Sequence, residues 1–429
     1  MRYTPPPSKL YIENRAKLSG QLAPGSIVVL NSNDTMPTNA DGIMPFRQNN
    51  DLLYLCGIDQ EESRLLIMPD YPVVEQREIL FLKETSDLIA TWEGHKFTRE
   101  EARELSGIQT IYWLDEFAQM FNSLVVEATN IYLNSNEHTR AILTVETSDD
   151  KFSKWCHDKY PQHNYHRLAP LLQLLRPVKE DEEIKMMQIA CDITEAGFRR
   201  VLSFIKPGVT EYQIEAEYIH EFIKSRSRGF AYQPIIASGD SACVLHYIEN
   251  DKSCDDGEVL LMDVGAEYGN YNADMTRAVP VNGRFTSRQK DVYNAVLRVK
   301  VEATNMLRPG TVVGKFNQEV GKVMERELLT LGLLDKTDIK NQDKDNLAYK
   351  KYFMHGTSHF LGLDVHDVGN FHTPITEGMI FTVEPGIYIR EEGLGIRLED
   401  NIIIQRDGHL NLMKNIPLEA DEIETLMNE

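Results

Sequence analysis

Short apolar runs bounded by turn residues alternate with stretches of helical periodicity along most of this chain. In the first part, SIVVLNS (26–32), FRQNNDLLYLCGI (46–58), RLLIMP (64–69), EILFLK (78–83), TIYWL (110–114) and NIYLN (130–134) have the length and the β-branched or aromatic content of strands. Residues 9–22, 98–107 and 115–127 read as helices; Pro24-Gly25 stops the first and Gly107 the second. This alternation predicts an α/β domain over residues 1–176. Directly after it, KEDEEIKMMQIACDITEAGFRRVLSFI (179–205) reads as a long amphipathic helix with acids in its first turn and Pro207-Gly208 beyond its end. A second domain is therefore expected over 177–429.

That second part repeats itself. IKPGVTEYQIEAEYIHEFIKSRS (205–227) resembles LRPGTVVGKFNQEVGKVMEREL (307–328): each leaves a long helix, turns at Pro-Gly and enters a second amphipathic helix. Strand-rich sequence with a histidine and an acidic hairpin follows both copies. The pattern predicts an α+β domain made of two facing copies, an internal pseudo-two-fold, with acids between them. The polar stretch 335–350 reads as a connecting loop.

The first acidic hairpin is EVLLMDVGAEYGNYNADMTR (258–277). With its turn at Tyr268-Gly269, Asp263 and Asp274 fall directly opposite each other, Cβ atoms ~4.5–5.5 Å apart on one face. Like charges so placed destabilise a core strand, and a buried unpaired carboxylate costs several kcal/mol. A proton or a cation between them removes the conflict: one divalent ion, or two at the ~3.5–4 Å spacing of dinuclear hydrolases. The second hairpin, MIFTVEPGIYIR (379–390) with GIRLEDNIIIQ (395–405), repeats the logic, pairing Glu384 with Glu399 around an even loop centred on Glu391-Glu392. For either glutamate alone, exposure on a strand is the simpler account; four carboxylates on two matched hairpins weigh against it. HGTSHFLGLDVHD (355–367) adds His355, His359 and His366. His359 is the expected ligand, since imidazole suits a transition metal but not Mg²⁺ or Ca²⁺. One imidazole with four carboxylates favours Mn²⁺, Co²⁺, Fe²⁺ or Zn²⁺ over copper. The chemistry such a site supports is hydrolysis, with Glu384 able to carry the proton onward.

Composition narrows the field without changing it. The chain has 429 residues, 42% hydrophobic and 26% charged, and a net charge of −21, which argues against a phosphate-binding basic surface and so against nucleic acid as partner. Five cysteines without CxxC spacing speak against a disulfide framework or a zinc knuckle and for a reducing compartment. MRYTPPPSKL has no apolar signal core, and no apolar run is long enough to span a bilayer, so a cytoplasmic protein without membrane association is expected.

SACVLHY, LMDVGAEYGNYNADMTR, HGTSHFLGLDVHD, TVEPGIY and GIRLEDN together resemble the five blocks of the pita-bread metallopeptidases, and within them aminopeptidase P (Xaa-Pro aminopeptidase), with prolidase the nearest relative. FRQNNDLLYLCGI resembles a segment of that group's N-terminal domain, so the likeness covers nearly the whole chain. The resemblance implies an α/β N-terminal domain serving oligomerisation and cleft shielding, followed by a pita-bread catalytic domain. It implies that Asp274 and Glu399 bridge two Mn²⁺ ions, with Asp263 completing one shell and His359 with Glu384 the other; Co²⁺ and Zn²⁺ suit the same ligands. A metal-bridging hydroxide would attack the X-Pro amide, Glu384 taking its proton and His246 and His366 contacting the scissile carbonyl and the tetrahedral intermediate. His355, Tyr388 and Arg397 would line the pocket for the penultimate proline, Tyr232 would wall that for the first residue, and the free amine would meet a metal and Asp263. Substrates would be peptides beginning Xaa-Pro, the assembly a homodimer or homotetramer, and Trp92 matches a tryptophan that reaches a neighbouring subunit's site. The short loop between Glu384 and Arg397 departs from bacterial relatives that carry an insertion there. Prolidase, cutting X-Pro dipeptides, shares every ligand and is the alternative; a non-catalytic peptide- or protein-binding module on the same fold is the alternative from another class, and relatives of that kind typically lose the ligands.

Overall fold

The computed structural model describes residues 2–343 and 346–429. They form two compact units: Pro5–Arg176, and Pro177–Glu429 together with the N-terminal residues up to Thr4. Among the described residues no helix is long and apolar enough to cross a membrane.

In the first unit, β1 (Ser26–Asn31), β2 (Arg64–Ile67), β3 (Glu78–Leu82), β4 (Thr110–Trp113), β5 (Asn130–Leu133) and β6 (Asn164–Arg167) form one sheet ordered β4-β3-β2-β1-β5-β6. It is mixed: β1 runs antiparallel to β2 and parallel to β5. Helices α1 (Ser8–Ser19), α2 (Asn50–Cys56), α3 (Asp87–Glu93), α4 (Arg99–Ser106), α5 (Phe117–Val125), α6 (Ser148–Lys159) and α7 (Ala169–Leu175) complete the unit. Ile27, Val29, Leu66 and Phe81 pack against Phe117, Phe121 and Phe152 to make its core. One expected strand is a helix. Within 46–58, the Asn49 side chain accepts from the backbone N–H groups of Asp51 and Leu52, Gly57 closes the helix at φ 72°, and Leu52 to Cys56 between them are all buried. A short apolar run without alternation fits a helix buried all round as well as a strand; here the cap and the glycine decide.

The second unit carries the repeat. Its first copy runs α8 (Asp181–Leu202), α9 (Glu211–Lys224), β7 (Ile235–Ser238), β8 (Val259–Val264), β9 (Glu267–Tyr268), β10 (Tyr271–Asn272) and β11 (Met275–Pro280). The second runs α10 (Ser287–Met306), α11 (Val313–Thr330), α12 (Lys336–Asn341), β12 (Ile380–Val383), β13 (Gly386–Ile389), β14 (Leu394–Arg397), β15 (Asp400–Gln405), β16 (Gly408–Asn411) and a final helix, α13 (Ala420–Met427). The helices of each copy pack as a pair, α8 on α9 and α10 on α11. Gly197 allows the first pair its close approach, since a Cβ there would sit 2.7 Å from Phe222 and 2.8 Å from Tyr218. The expected loop 335–350 contains α12; its residues 344 and 345 lie outside the described residues.

Both hairpins continue from a longer sheet into a short ribbon. In the second, Val383 pairs with Asp400 and Gly386 with Arg397, which puts Glu384 and Glu399 in the expected register. The first differs. Tyr268 pairs with Tyr271, and Asp263 faces Thr276 rather than Asp274. The turn is Gly269-Asn270, not Tyr268-Gly269, because a two-residue turn of this kind needs positive φ at both central positions: glycine and asparagine take it (φ 60° and 69°), tyrosine resists it. The displacement is even, so both aspartates keep one face. Asp274 comes to lie across from Gly265, where a Cβ would meet the Ala273 carbonyl oxygen at 1.8 Å.

Candidate metal centre

The two hairpins bring Asp274 and Glu399 together and the segment beside β12 adds His359, so that one ligand atom from each lies within 4.8 Å of the others. All three are buried. Asp263 and Glu384 join them, less completely covered. The His359 Nε2 lies 3.5 Å from Asp274 Oδ2 and 3.7 Å from Glu384 Oε1. Its Nδ1 lies 2.9 Å from the Phe360 carbonyl, an oxygen that can only accept, so Nδ1 carries the proton and the Nε2 lone pair faces the carboxylates.

A test of whether cations fit is supplied by Tyr232. Its hydroxyl oxygen lies 2.5 Å from Asp263 Oδ1 and 2.6 Å from Asp274 Oδ1. A phenol has one hydrogen to donate. The second short oxygen–oxygen contact therefore requires a further proton or a positive ion, as does an imidazole lone pair aimed at carboxylate oxygens. Electrostatics point the same way. Burial, then the charges of Asp274, Glu384 and Asp263, drive the Glu399 carboxyl well above its ordinary range. Burial pushes Glu384 up to about 7, with Asp274 and Asp263 adding to it against His359 and Arg397. Asp263 is raised by burial and by Asp274 although Arg397 opposes them. Burial works against a protonated His359, but Asp274 and Glu384 outweigh it and raise its pKa. The donor set fits divalent metal ions of the oxygen- and imidazole-binding class.

Beside the cluster runs a hydrogen-bonded chain. Arg397 Nη2 donates to Asp263 Oδ2 (2.6 Å), Arg397 Nη1 donates to the Tyr388 oxygen (2.8 Å), and the Tyr388 hydroxyl donates to His355 Nε2 (2.8 Å). Burial and then Arg397 push the His355 pKa down to about 3, so this imidazole stays neutral at physiological pH. Tyr388 and Arg397 are buried and His355 is partly so. The His366 ring stands edge-on to that of His359, centroids 4.5 Å apart, and is exposed. His246 is exposed too, near enough to His355 to help depress its pKa. The structure thus gathers the five expected ligands, joins Tyr232 to their aspartates, and leaves two histidines open to solvent. Trp92, in α3, is 83% exposed. Sequence reasoning does not single out Thr276 and Asn401, which bond Glu399 and Asp274 from behind; their one signal is their place two residues beyond Asp274 and Glu399.

Residues 185–406 match the model of metallopeptidase family M24, and residues 11–132 match that of the aminopeptidase P N-terminal domain. The chain is 34% identical to the Xaa-Pro aminopeptidase of Haemophilus influenzae, with 98% of each chain covered. The solved aminopeptidase PepP of Pseudomonas aeruginosa superposes with a TM-score of 0.89 at 30% identity, covering 100% of this chain and 99% of the other. The Escherichia coli aminopeptidase P solved with the inhibitor Pro-Leu gives 0.89 at 31% identity, covering 99% of each.

Proposed function

The chain belongs to metallopeptidase family M24, and from that membership we propose that it is a metallo-aminopeptidase releasing the N-terminal residue from peptides with proline in the second position. The observation that carries the reading is the convergence of four carboxylates and one imidazole, two of the acids meeting one phenolic oxygen that has a single hydrogen to give. We assign Asp274 and Glu399 as ligands shared by two divalent ions, Asp263 to one of them and His359 with Glu384 to the other. Mn²⁺ is the metal we expect; Co²⁺ and Zn²⁺ suit the same donors. When bound, the ions supply an acidified water as nucleophile at neutral pH and polarise the scissile carbonyl.

The remaining work falls to side chains. Glu384 accepts the proton at a carboxylate oxygen and passes it toward the leaving proline nitrogen. His246 and His366, on the open side, donate hydrogen bonds to the carbonyl oxygen as negative charge gathers there. The Arg397–Tyr388–His355 chain is a fixed wall for the proline ring. Proline has no amide N–H and its φ is held near −65°, so a pocket that shapes itself to the ring and asks for no N–H favours the X–Pro bond. Tyr232 walls the pocket of the first residue, and Asp263 faces the free amine, which limits trimming to one residue. That the E. coli relative is inhibited by Pro-Leu supports this choice over a dipeptidase, since Pro-Leu is what X-Pro-Leu leaves behind. All five cysteines are free and buried, which favours the cytoplasm, and we expect a homodimer or homotetramer.

The deciding assay gives the Mn²⁺-loaded protein an X-Pro dipeptide and an X-Pro-X tripeptide side by side. Release of the first residue from the tripeptide is expected. An inert tripeptide with a cleaved dipeptide would make the protein a prolidase, and no cleavage of either a binding module.

A further inference from the structure

Behind the carboxylates the two copies of the repeat exchange hydrogen bonds reciprocally. Asn401, fully buried, follows Glu399 by two residues; its Oδ1 accepts from the Asp274 N–H (3.1 Å) and its Nδ2 donates to the Asp274 carbonyl (2.6 Å). Thr276, also fully buried, follows Asp274 by two residues; its carbonyl accepts from the Glu399 N–H (3.0 Å) and its hydroxyl lies 2.7 Å from Glu399 Oε2. Arg397 Nε donates to that hydroxyl at 3.1 Å, which turns the threonine proton toward the Glu399 carboxylate. The residue two past each central acid therefore grips the other copy's acid. These bonds are not what pairs the strands. Thr276 sits in a ladder with β8, and the Asn401 backbone is paired with Thr382 and Leu412, leaving its carboxamide for Asp274 and, at the same oxygen, the Cys191 thiol at 3.5 Å.

We infer that Asn401 and Thr276 are positioning residues that set the separation and aim of Asp274 and Glu399 across the pseudo-two-fold. The inference rests on the reading of those two acids as shared metal ligands. Asn401 takes the place of a neighbouring strand for the Asp274 peptide, so its loss leaves a buried N–H and C=O unsatisfied beside a ligand. Thr276 aims the carboxylate itself, which valine, of nearly the same shape, cannot do.

The test titrates the full-length, metal-stripped protein with MnCl₂ by calorimetry and follows thermal unfolding with and without Mn²⁺. Thr276→Val and Asn401→Ala are expected to weaken Mn²⁺ binding about 10–100-fold, the range for outer-shell partners of metal ligands, and Thr276→Ser to stay within about 3-fold of the unaltered chain. Without metal, the Val and Ser variants at 276 should melt together; with Mn²⁺, only the Ser variant should gain the full upward shift. A purely structural role would separate them in the absence of metal. Unaltered Mn²⁺ affinity in both Thr276→Val and Asn401→Ala, or a Ser variant as weak as the Val variant, would overturn the positioning role while leaving the metal centre standing. Failure of the unaltered chain to take up Mn²⁺ would overturn the metal-centre reading and this inference together.

Discussion

Glu399 and Asp400 adjoin in sequence and are both buried, yet their surroundings are opposite. Asp400 accepts from Arg277 Nη2 (2.6 Å), from Asn411 Nδ2 (2.7 Å) and from Lys300 Nζ. Burial alone would raise its pKa, but Arg277 and Lys300 outweigh that and hold it below the usual carboxylate range. Glu399, on the other face, receives one hydroxyl and looks at three more acids, so burial and like charge both drive its pKa up. One face of the strand is a finished ionic network. The other gathers more acid than Arg397 offsets, and is completed by protons or by bound cations. Burial of a carboxylate is thus no sign of a metal ligand; the sign is what compensates it, and two adjacent residues where β14 passes into β15 separate the cases.

The largest effects should come from the incomplete face. Asp274→Ala is expected to lose bound metal and turnover together, measured by elemental analysis and by release of the first residue; retained metal with full activity would refute the shared-ligand assignment. Glu384→Gln should lower kcat about 10²–10⁴-fold, the usual range for removing a general base. On the finished face, Asp400→Ala strands the buried Arg277 and Lys300 and should lower the unfolding free energy of the metal-free protein by about 3–5 kcal/mol in urea. If Asp400→Ala left stability untouched, the contrast between the two faces would collapse.

The two faces should also answer pH with opposite sign. Glu384 is raised to about 7 in the folded, metal-free protein, first by burial, against an ordinary value of 4.5. Between those values the folded chain binds a proton the unfolded chain has released, so metal-free stability falls as pH rises from about 4.5 to about 7, by roughly 1–3 kcal/mol. The depressed Asp400 does the reverse: its contribution is present above the ordinary carboxylate pKa and fades as pH falls below about 4. Because metal binding expels the protons on the first face, the upward shift in melting temperature caused by Mn²⁺ should grow between pH 5 and pH 7.5. An increment independent of pH would mean that the carboxylates are already ionised without metal.

Much of this contrast was legible in the residues. Polar carboxylates inside apolar strands, twice over, announced the centre, and an even loop on Glu391-Glu392 placed Glu384 opposite Glu399 as observed. Three things were not legible for physical reasons. The run from Leu52 to Cys56 is apolar on every side, so periodicity carried no vote and the Asn49 cap was the discriminating residue. Nothing in the residues marks Asp400 as ion-paired, because its partners Arg277 and Lys300 lie far away in sequence and only folding joins them. And parity, which the pattern does encode, puts Asp263 and Asp274 on one face equally well in either register.

That leaves the turn, whose effect should be the smallest and whose test bears on what places the carboxylates. Asn270 sits at φ 69° between Gly269 and Tyr271, and its side chain also meets Arg228. Asn270→Ala puts a residue without a local polar side chain in the left-handed region at a cost of about 1–2 kcal/mol, and Asn270→Gly should recover most of it. Because β8 and β11 remain paired from Val259–Pro280 to Val264–Met275, the aspartates should stay where they are and Mn²⁺ affinity should hold within about 2-fold, far from the loss expected when a ligand's own partner is removed. If Asn270→Ala instead weakened metal binding as much as Thr276→Val, the turn would be what sets the acids. The bonds passing between the two ribbons, and the division of labour between Glu399 and Asp400 built on them, would then be secondary to the first ribbon's register.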